Sequence, residues 1–362
     1  MMRDTDASSA SDPAADGAPF ALVADLNGDS TLDLVMLDRE HGDISVRLGR
    51  GDGTFEPENR FHAGNGSAWV AVGDLDGDGN ADLVDVLSDS DTLRFFMGYG
   101  DGTFGRETSL SAGDRPTAVV VADFDGDGRQ DLAITNAGGG DISLLRAAGD
   151  PAQDGIVFGP EKRFKTGREP RALAVGDFNN DGRQDLVVSN GRSKSVSILL
   201  GAPGDVAFLG QERLRVGKTP DTVVVADFND DQVQDLAVVN RGSGDMSVLI
   251  GLGGGRFKVD SRYGFLGPVV SIAAADFDSD HLVDLAVVVG GHDVYFLKSQ
   301  GDGSFRSTST ELGFAPLVLS VGDFDADGKQ DLLTAQGPDV VSAWLGRGNG
   351  AFVSRAPSGS GR

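Results

Sequence analysis

A nine-residue loop recurs seven times along the chain, beginning at Asp25, Asp74, Asp123, Asp177, Asp227, Asp276 and Asp323. The intervals are 49, 49, 54, 50, 49 and 47 residues. A period near 50 residues belongs to propeller-type repeats, in which one unit cannot bury its own apolar faces and must stack on its neighbours. Length alone would suggest two or three domains of about 150 residues. The repeat predicts a single domain over residues 19–355 instead.

Each repeat reads as four short strands. In the unit starting at Asp123, AVVVADF is an apolar run, DLAITN follows the loop, DISLLR follows a Gly-rich turn, and FGRETSLSAG closes the unit. The expected fold is all-β: a seven-bladed β-propeller of four-stranded antiparallel blades, closed radially so that only short, protected edges remain. Composition agrees, because Gly is 53 of 362 residues while 39% are apolar, which reads as many tight turns rather than disorder. Residues 1–18 and 356–362 are small and polar, and are expected to be disordered tails.

The residue before each loop is Ala24, Gly73, Ala122, Gly176, Ala226, Ala275 or Gly322, as crowding near a central axis would require. The residue after the first Asp is Leu or Phe, and the ninth position is Asp followed by Leu; these apolar residues should pack between neighbouring sheets. A second signature, GRGDGTF at 49–55, returns as GYGDGTF, LGGGRF, QGDGSF and GRGNGAF, and reads as a hairpin entering the outermost strand. In the third unit it is replaced by the longer RAAGDPAQDGIVF (146–158).

The loops read DLNGDSTLD, DLDGDGNAD, DFDGDGRQD, DFNNDGRQD, DFNDDQVQD, DFDSDHLVD and DFDADGKQD. They set side-chain oxygens at positions 1, 3, 5 and 9, and position 7 offers its carbonyl. That DxDxDG-type set suits Ca²⁺, which takes six to eight oxygens in flexible geometry, better than Mg²⁺, which keeps more waters. The candidate ligands are Asp25, Asn27, Asp29, Thr31 and Asp33; Asp74, Asp76, Asp78, Asn80 and Asp82; Asp123, Asp125, Asp127, Arg129 and Asp131; Asp177, Asn179, Asp181, Arg183 and Asp185. They continue with Asp227, Asn229, Asp231, Val233 and Asp235; Asp276, Asp278, Asp280, Leu282 and Asp284; and Asp323, Asp325, Asp327, Lys329 and Asp331.

An EF-hand would need Glu at position 12, where this chain has Met36, Asp85, Ile134, Val188, Val238, Val287 and Thr334. Metal-free Asx turns are the alternative, but up to four carboxylates crowded together are costly without a cation. Position 6 asks for a left-handed backbone and is Gly in four loops; Ser30, Gln232 and His281 mark the loops at Asp25, Asp227 and Asp276 as weaker binders. The ligand Asp residues number 25, matching the net charge of −25, which up to seven bound Ca²⁺ would bring to −11.

These loops and Phe-Gly-like turns, spread over nearly the whole chain, resemble the FG-GAP/VCBS repeat family, whose integrin α-subunit members are seven-bladed propellers. The resemblance implies structural calcium in the loops and ligand binding on the face opposite them. That face should carry Arg115, Arg168, Arg171, Arg192, Lys194, Lys218 and Arg241, with Arg168, Arg192, Lys194 and Arg241 the candidates for an anionic ligand. Solubility of the turns accounts for the same charges without a ligand.

A chain this acidic lacks the basic footprint of a nucleic-acid binder. It has no cysteine for disulfides or thiolate chemistry. No apolar run approaches the ~20 residues of a membrane helix, and the first residues lack the apolar stretch of a signal peptide. His41, His62, His281 and His292 show no ligand spacing, and no nucleophile elbow, P-loop or dinucleotide fingerprint occurs. Arg50-Gly51-Asp52 sits where other units carry their own hairpin. Trp69 replaces smaller residues and could either pack or offer a stacking platform.

The expectation is therefore a non-catalytic, calcium-binding module for extracellular adhesion, recognition or scaffolding. It would be secreted and monomeric, with a protein or glycan ligand and no catalytic residue or membrane insertion. A lectin binding glycans at inter-blade or loop-face pockets, and an accessory domain of a carbohydrate-active enzyme, are the alternatives.

Overall fold

The computed structural model describes residues 20–149, 156–204, 207–290, 293–310, 316–337 and 340–355, so both expected tails and His292 lie outside the described residues. Within them 28 strands form seven four-stranded antiparallel sheets, each from four strands consecutive in the chain. Blade one comprises β1 (Phe20–Ala24), β2 (Asp33–Asp38), β3 (Asp43–Arg47) and β4 (Asn59–His62). The inner strands of blades two to seven are β5 (Ser67–Gly73), β9 (Pro116–Ala122), β13 (Pro170–Gly176), β17 (Pro220–Ala226), β21 (Val269–Ala275) and β25 (Val318–Gly322). The seven-bladed, all-β architecture expected from the repeat is the one observed.

One strand belongs elsewhere. Phe104–Ser111 pairs with Thr92–Gly98, so FGRETSLSAG closes blade two, not the blade of Asp123. Blade three is closed by Lys162–Lys165, which the chain reaches only after its insertion. The base of that insertion is pinned by an Ala147–Phe158 bridge, and residues 150–155 at its centre lie outside the described residues.

Every blade is complete within its own repeat, so the ring closes by packing rather than by strand exchange. Blade seven meets blade one through Phe324 and Phe55, whose rings lie 6.0 Å apart, and through Gly53 N, which donates to Phe324 O at 2.9 Å. The same hairpin clip joins Gly255 to Phe178 and Gly350 to Phe277, each at 3.0 Å. Position 2 is the anchor of each interface: Leu26, Leu75, Phe124, Phe178, Phe228, Phe277 and Phe324 are all buried. All five of the Phe rings meet an aromatic of the following blade edge-on, as in Phe178–Phe257 and Phe228–Phe305, both at 5.4 Å.

The three glycines before the loops are held small by the neighbouring blade. A Cβ on Gly73 would lie 2.1 Å from Gln130 Oε1, on Gly176 2.3 Å from Gln234 Oε1, and on Gly322 2.3 Å from Leu32 Cδ1. All three neighbours occupy position 8 of the next loop. Gln234 Oε1 also accepts from Asp177 N at 2.9 Å, tying one loop to the start of another. Trp69 packs: it is buried with its ring 4.8 Å from that of Phe20.

Asp85 departs from the pattern, for it stands on β6 (Asp82–Leu87) where the other blades carry Met, Ile, Val or Thr. It is fully buried, accepts from the Ser67 hydroxyl, and leaves Oδ2 without a hydrogen-bond partner. Burial pushes its carboxyl up from 3.8 to about 7. The folded state therefore holds a proton that the unfolded chain has released, so stability falls as pH rises from about 4 through 7. Asp85→Asn is expected to gain melting temperature relative to the parent between pH 5 and pH 8 in saturating calcium. Parallel pH profiles would refute the assignment.

Candidate metal centre

Each loop is shaped by its first carboxylate, which gathers backbone N–H groups from later in the loop. Asp123 Oδ1 accepts from Gly126 N at 2.7 Å and Asp127 N at 3.1 Å, while Oδ2 accepts from Gly128 N at 2.8 Å. Winding the chain this tightly needs two left-handed residues. Position 6 is left-handed throughout, including Ser30, Gln232 and His281 at φ 67°, 65° and 71°. Position 4 is left-handed too, at Gly28, Gly77, Gly126, Asn180, Asp230, Ser279 and Ala326. The second requirement is one that the mixed set of Gly, Asn, Asp, Ser and Ala at position 4 does not announce.

The order of loop quality shifts accordingly. The loops at Asp74 and Asp123 have Gly at both strained positions, those at Asp25, Asp177 and Asp323 at one, and those at Asp227 and Asp276 at neither. A non-Gly residue there costs roughly 1–2 kcal/mol, less for Asn or Asp. Gln232→Gly and His281→Gly are each expected to stabilise by roughly 0.5–1 kcal/mol after the added entropy of the unfolded chain. Gly79→Ala should destabilise by a similar amount, since its Cβ would meet nothing within 4 Å and only backbone strain is added. Thermal melts check the signs.

The ninth-position carboxylates act as latches. Asp33, Asp82, Asp131, Asp185, Asp235, Asp284 and Asp331 are buried, and Oδ2 of each accepts from the position-2 N–H at 2.8–3.3 Å. Their Oδ1 atoms accept at 2.6–2.8 Å from Gly49, Gly98, Ala147, Gly201, Gly251, Ser299 and Gly346, where the third strand ends. Burial, with neighbouring loop carboxylates adding to it, pushes all seven up to about 6. Each oxygen keeps a second lone pair, so the latch and a cation can be served together.

Position 5 fastens the far side, its Oδ1 accepting from the position-7 N–H of Thr31, Asn80, Arg129, Arg183, Val233, Leu282 and Lys329 at 2.8–3.0 Å. Carboxylate oxygens of Asp74, Asp76 and Asp78 lie within 4.8 Å of one another, as do those of Asp123, Asp125 and Asp127. Asp276, Asp278 and Asp284, and Asp323, Asp325 and Asp331, converge in the same way. Two oxygens on one Ca²⁺ lie no more than about 5 Å apart, so these groups fit the ion. Asp74 Oδ1 and Asp278 Oδ1 are also buried without a hydrogen-bond partner, an expense that a cation would remove.

Three loops gather fewer charges. Asn27, Asn179 and Asn229 turn their amide N–H toward the position-5 carboxylate at 2.8–2.9 Å. Arg129, Arg183 and Lys329 pair with the position-5 carboxylates of their own loops, and Lys298 reaches Asp278 and Asp280. These cations compete locally with a metal for the same oxygens.

Antiparallel strand order puts the Asp-rich loops and third-to-fourth-strand hairpins on one face, and the remaining connections opposite. Arg50-Gly51-Asp52 lies in such a hairpin: Asp52 Oδ1 accepts from Thr54 N at 2.9 Å, as Asp101 does from Thr103 and Asp302 from Ser304. On the opposite face, Arg168, Arg192, Lys194 and Lys218 are exposed. Arg171 and Arg241 both turn to the buried Asp221, at 3.2 and 3.9 Å, and Arg171 also pairs with Glu169 at 2.8 Å. Arg241 thus stands apart from its expected companions, and Lys218 takes its place.

The FG-GAP-like repeat model matches residues 25–84, 85–134, 123–188, 177–238, 227–287 and 276–334. No curated protein matches the sequence. Among solved structures, BBS1N in complex with ARL6DN is 13% identical, covering 98% of this chain and 97% of that one with a TM-score of 0.60. A putative 6-phosphogluconolactonase from Bacteroides uniformis is 15% identical, covering 94% and 95% at 0.59. The Pseudomonas aeruginosa periplasmic gluconolactonase is 14% identical, covering 93% and 95% at 0.59. At such identities these likenesses show the fold alone, and a fold of this kind serves unlike roles.

Proposed function

Because the chain belongs to the FG-GAP-like repeat family, we propose that it is a non-catalytic, calcium-organised propeller serving outside the cell as a monomeric recognition or scaffold module. The observation that carries this reading is the division of labour between the two faces. One face concentrates the Asp-rich loops, whose all-oxygen donor sets suit Ca²⁺ and whose latches reach the end of each third strand. The other presents short connections held by main-chain bonds, such as Gly191 N to Glu169 O at 2.8 Å and Arg241 N to Thr219 O at 3.1 Å. Metal binding on one face would stiffen the blades that display the other. Loops with left-handed non-Gly residues suit the millimolar calcium found outside cells better than the low levels inside.

The test is binding of the purified protein to arrays of glycans and matrix proteins, in calcium and in chelator. Binding that calcium strengthens is the expected result. No calcium uptake at millimolar concentration, or turnover of a lactone or glycoside substrate, would overturn the reading.

A further inference from the structure

We propose that Arg168, Arg192, Lys194 and Lys218 form a docking arc for a linear acidic polysaccharide, a chain of uronate or sulfated sugars. This rests on the recognition-module reading and assigns it a partner. The four side chains are exposed, and none enters an ion pair with a described residue, on a chain whose net charge is −25. Their neighbours Arg171 and Arg241 are already neutralised by Glu169 and Asp221.

Main-chain bonds place the four in sequence along two blades. Arg192 N donates to Arg168 O at 3.2 Å, and Val216 N to Lys194 O at 3.0 Å, two residues before Lys218. The clamp is repeated from blade to blade, because Arg168 N donates to Ser193 Oγ at 2.7 Å and Lys218 N to Ser243 Oγ at 2.9 Å. The result is a line of fixed cation bases rather than a cluster around one point, which suits a ligand whose charges also repeat along a line.

The connections themselves, TGRE (166–169), GRSK (191–194), VGKT (216–219) and RGSG (241–244), carry one apolar side chain, the half-buried Val216. A protein partner would look for an apolar or aromatic centre within a polar rim. This surface offers charge, hydroxyls and peptide groups, the chemistry that reads sugar hydroxyls and their acidic substituents.

The experiment measures binding of the full chain in calcium to dextran sulfate, polyglucuronate, neutral dextran, single-stranded DNA and polyglutamate. One or both acidic glycans should bind, the choice between them distinguishing sulfate from carboxylate, and neutral dextran should not. Combining Arg168→Ala, Arg192→Ala, Lys194→Ala and Lys218→Ala should weaken binding at least about 30-fold. The pairs Arg168→Ala/Arg192→Ala and Lys194→Ala/Lys218→Ala should each take part of that loss, with melting temperatures confirming the fold. Arg256→Ala and Arg347→Ala, in hairpins of the opposite face, should stay within about twofold. Four contacts at a salt slope of about −0.7 each predict a loss of about fifty-fold between about 50 and 200 mM salt.

Failure of both glycans to bind, equal or tighter binding of DNA or polyglutamate, or full affinity in the fourfold variant would overturn the arc. If the protein still binds calcium and a different array ligand, the arc fails while the recognition-module reading stands.

Discussion

Removing calcium from the protein is expected to lower its melting temperature by about 20 °C. Four sites held at a hundredfold their dissociation constants contribute about 11 kcal/mol together, and a domain of this size shifts by about 2 °C per kcal/mol. The effect arises from two sources acting in the same direction. Bound Ca²⁺ would satisfy oxygens that the fold leaves without partners, Asp74 Oδ1 and Asp278 Oδ1 among them, and would neutralise carboxylates that otherwise repel one another. Magnesium at the same concentration should recover only part of the loss, because its shorter bonds and reluctance to dehydrate fit these loops less well. Scanning calorimetry in calcium, in chelator and in magnesium measures this directly, and a melting temperature unmoved by excess chelator would refute structural calcium.

Asp131→Ala is expected to destabilise by about 2–4 kcal/mol even in chelator, because it orphans one buried and one half-buried N–H group, at roughly 1–3 kcal/mol for the buried one and less for the other, and leaves a small cavity. Those donors are Phe124 N at 3.0 Å and Ala147 N at 2.8 Å. Asp127→Ala is the matched control. Its carboxylate lies at the exposed rim and holds chiefly Arg129, so it should matter in calcium and little without it. The pair separates the latch from the ligand, two roles that the motif writes with the same residue. Equal losses for both variants in chelator would show that the ninth position is not a latch.

Much of this was legible in the sequence because repetition averages out local ambiguity. One stretch such as AVVVADF fits a buried strand or a helix segment, but the same run before the same Asp, seven times at intervals near 50 residues, leaves only a ring of blades. The gathering of carboxylates in the loops was readable for the same reason. The assignment of FGRETSLSAG to a blade was not, since a strand's partner lies in the fold and the insertion at 146–158 separated blade three from its own outer strand. Nor was the left-handed position 4, where Gly, Asn, Asp, Ser and Ala all serve and only backbone angles reveal the shared constraint.

The sequence by itself determined the number of blades, the all-β class and the set of oxygens offered to a hard cation, because each of these is a local pattern copied at a fixed spacing. Tertiary structure alone decided how the ring closes, which carboxylate oxygens are latched, and which cations are paired within the fold. Arg171 and Arg241 look equal to Arg168 and Arg192 along the chain, yet Asp221 on the inner strand of blade five pairs with the first two, with Arg171 across the blade boundary and with Arg241 within its own blade, and with neither of the others. Charge is a property of the residue, but whether it is neutralised depends on what the fold brings within about 4 Å.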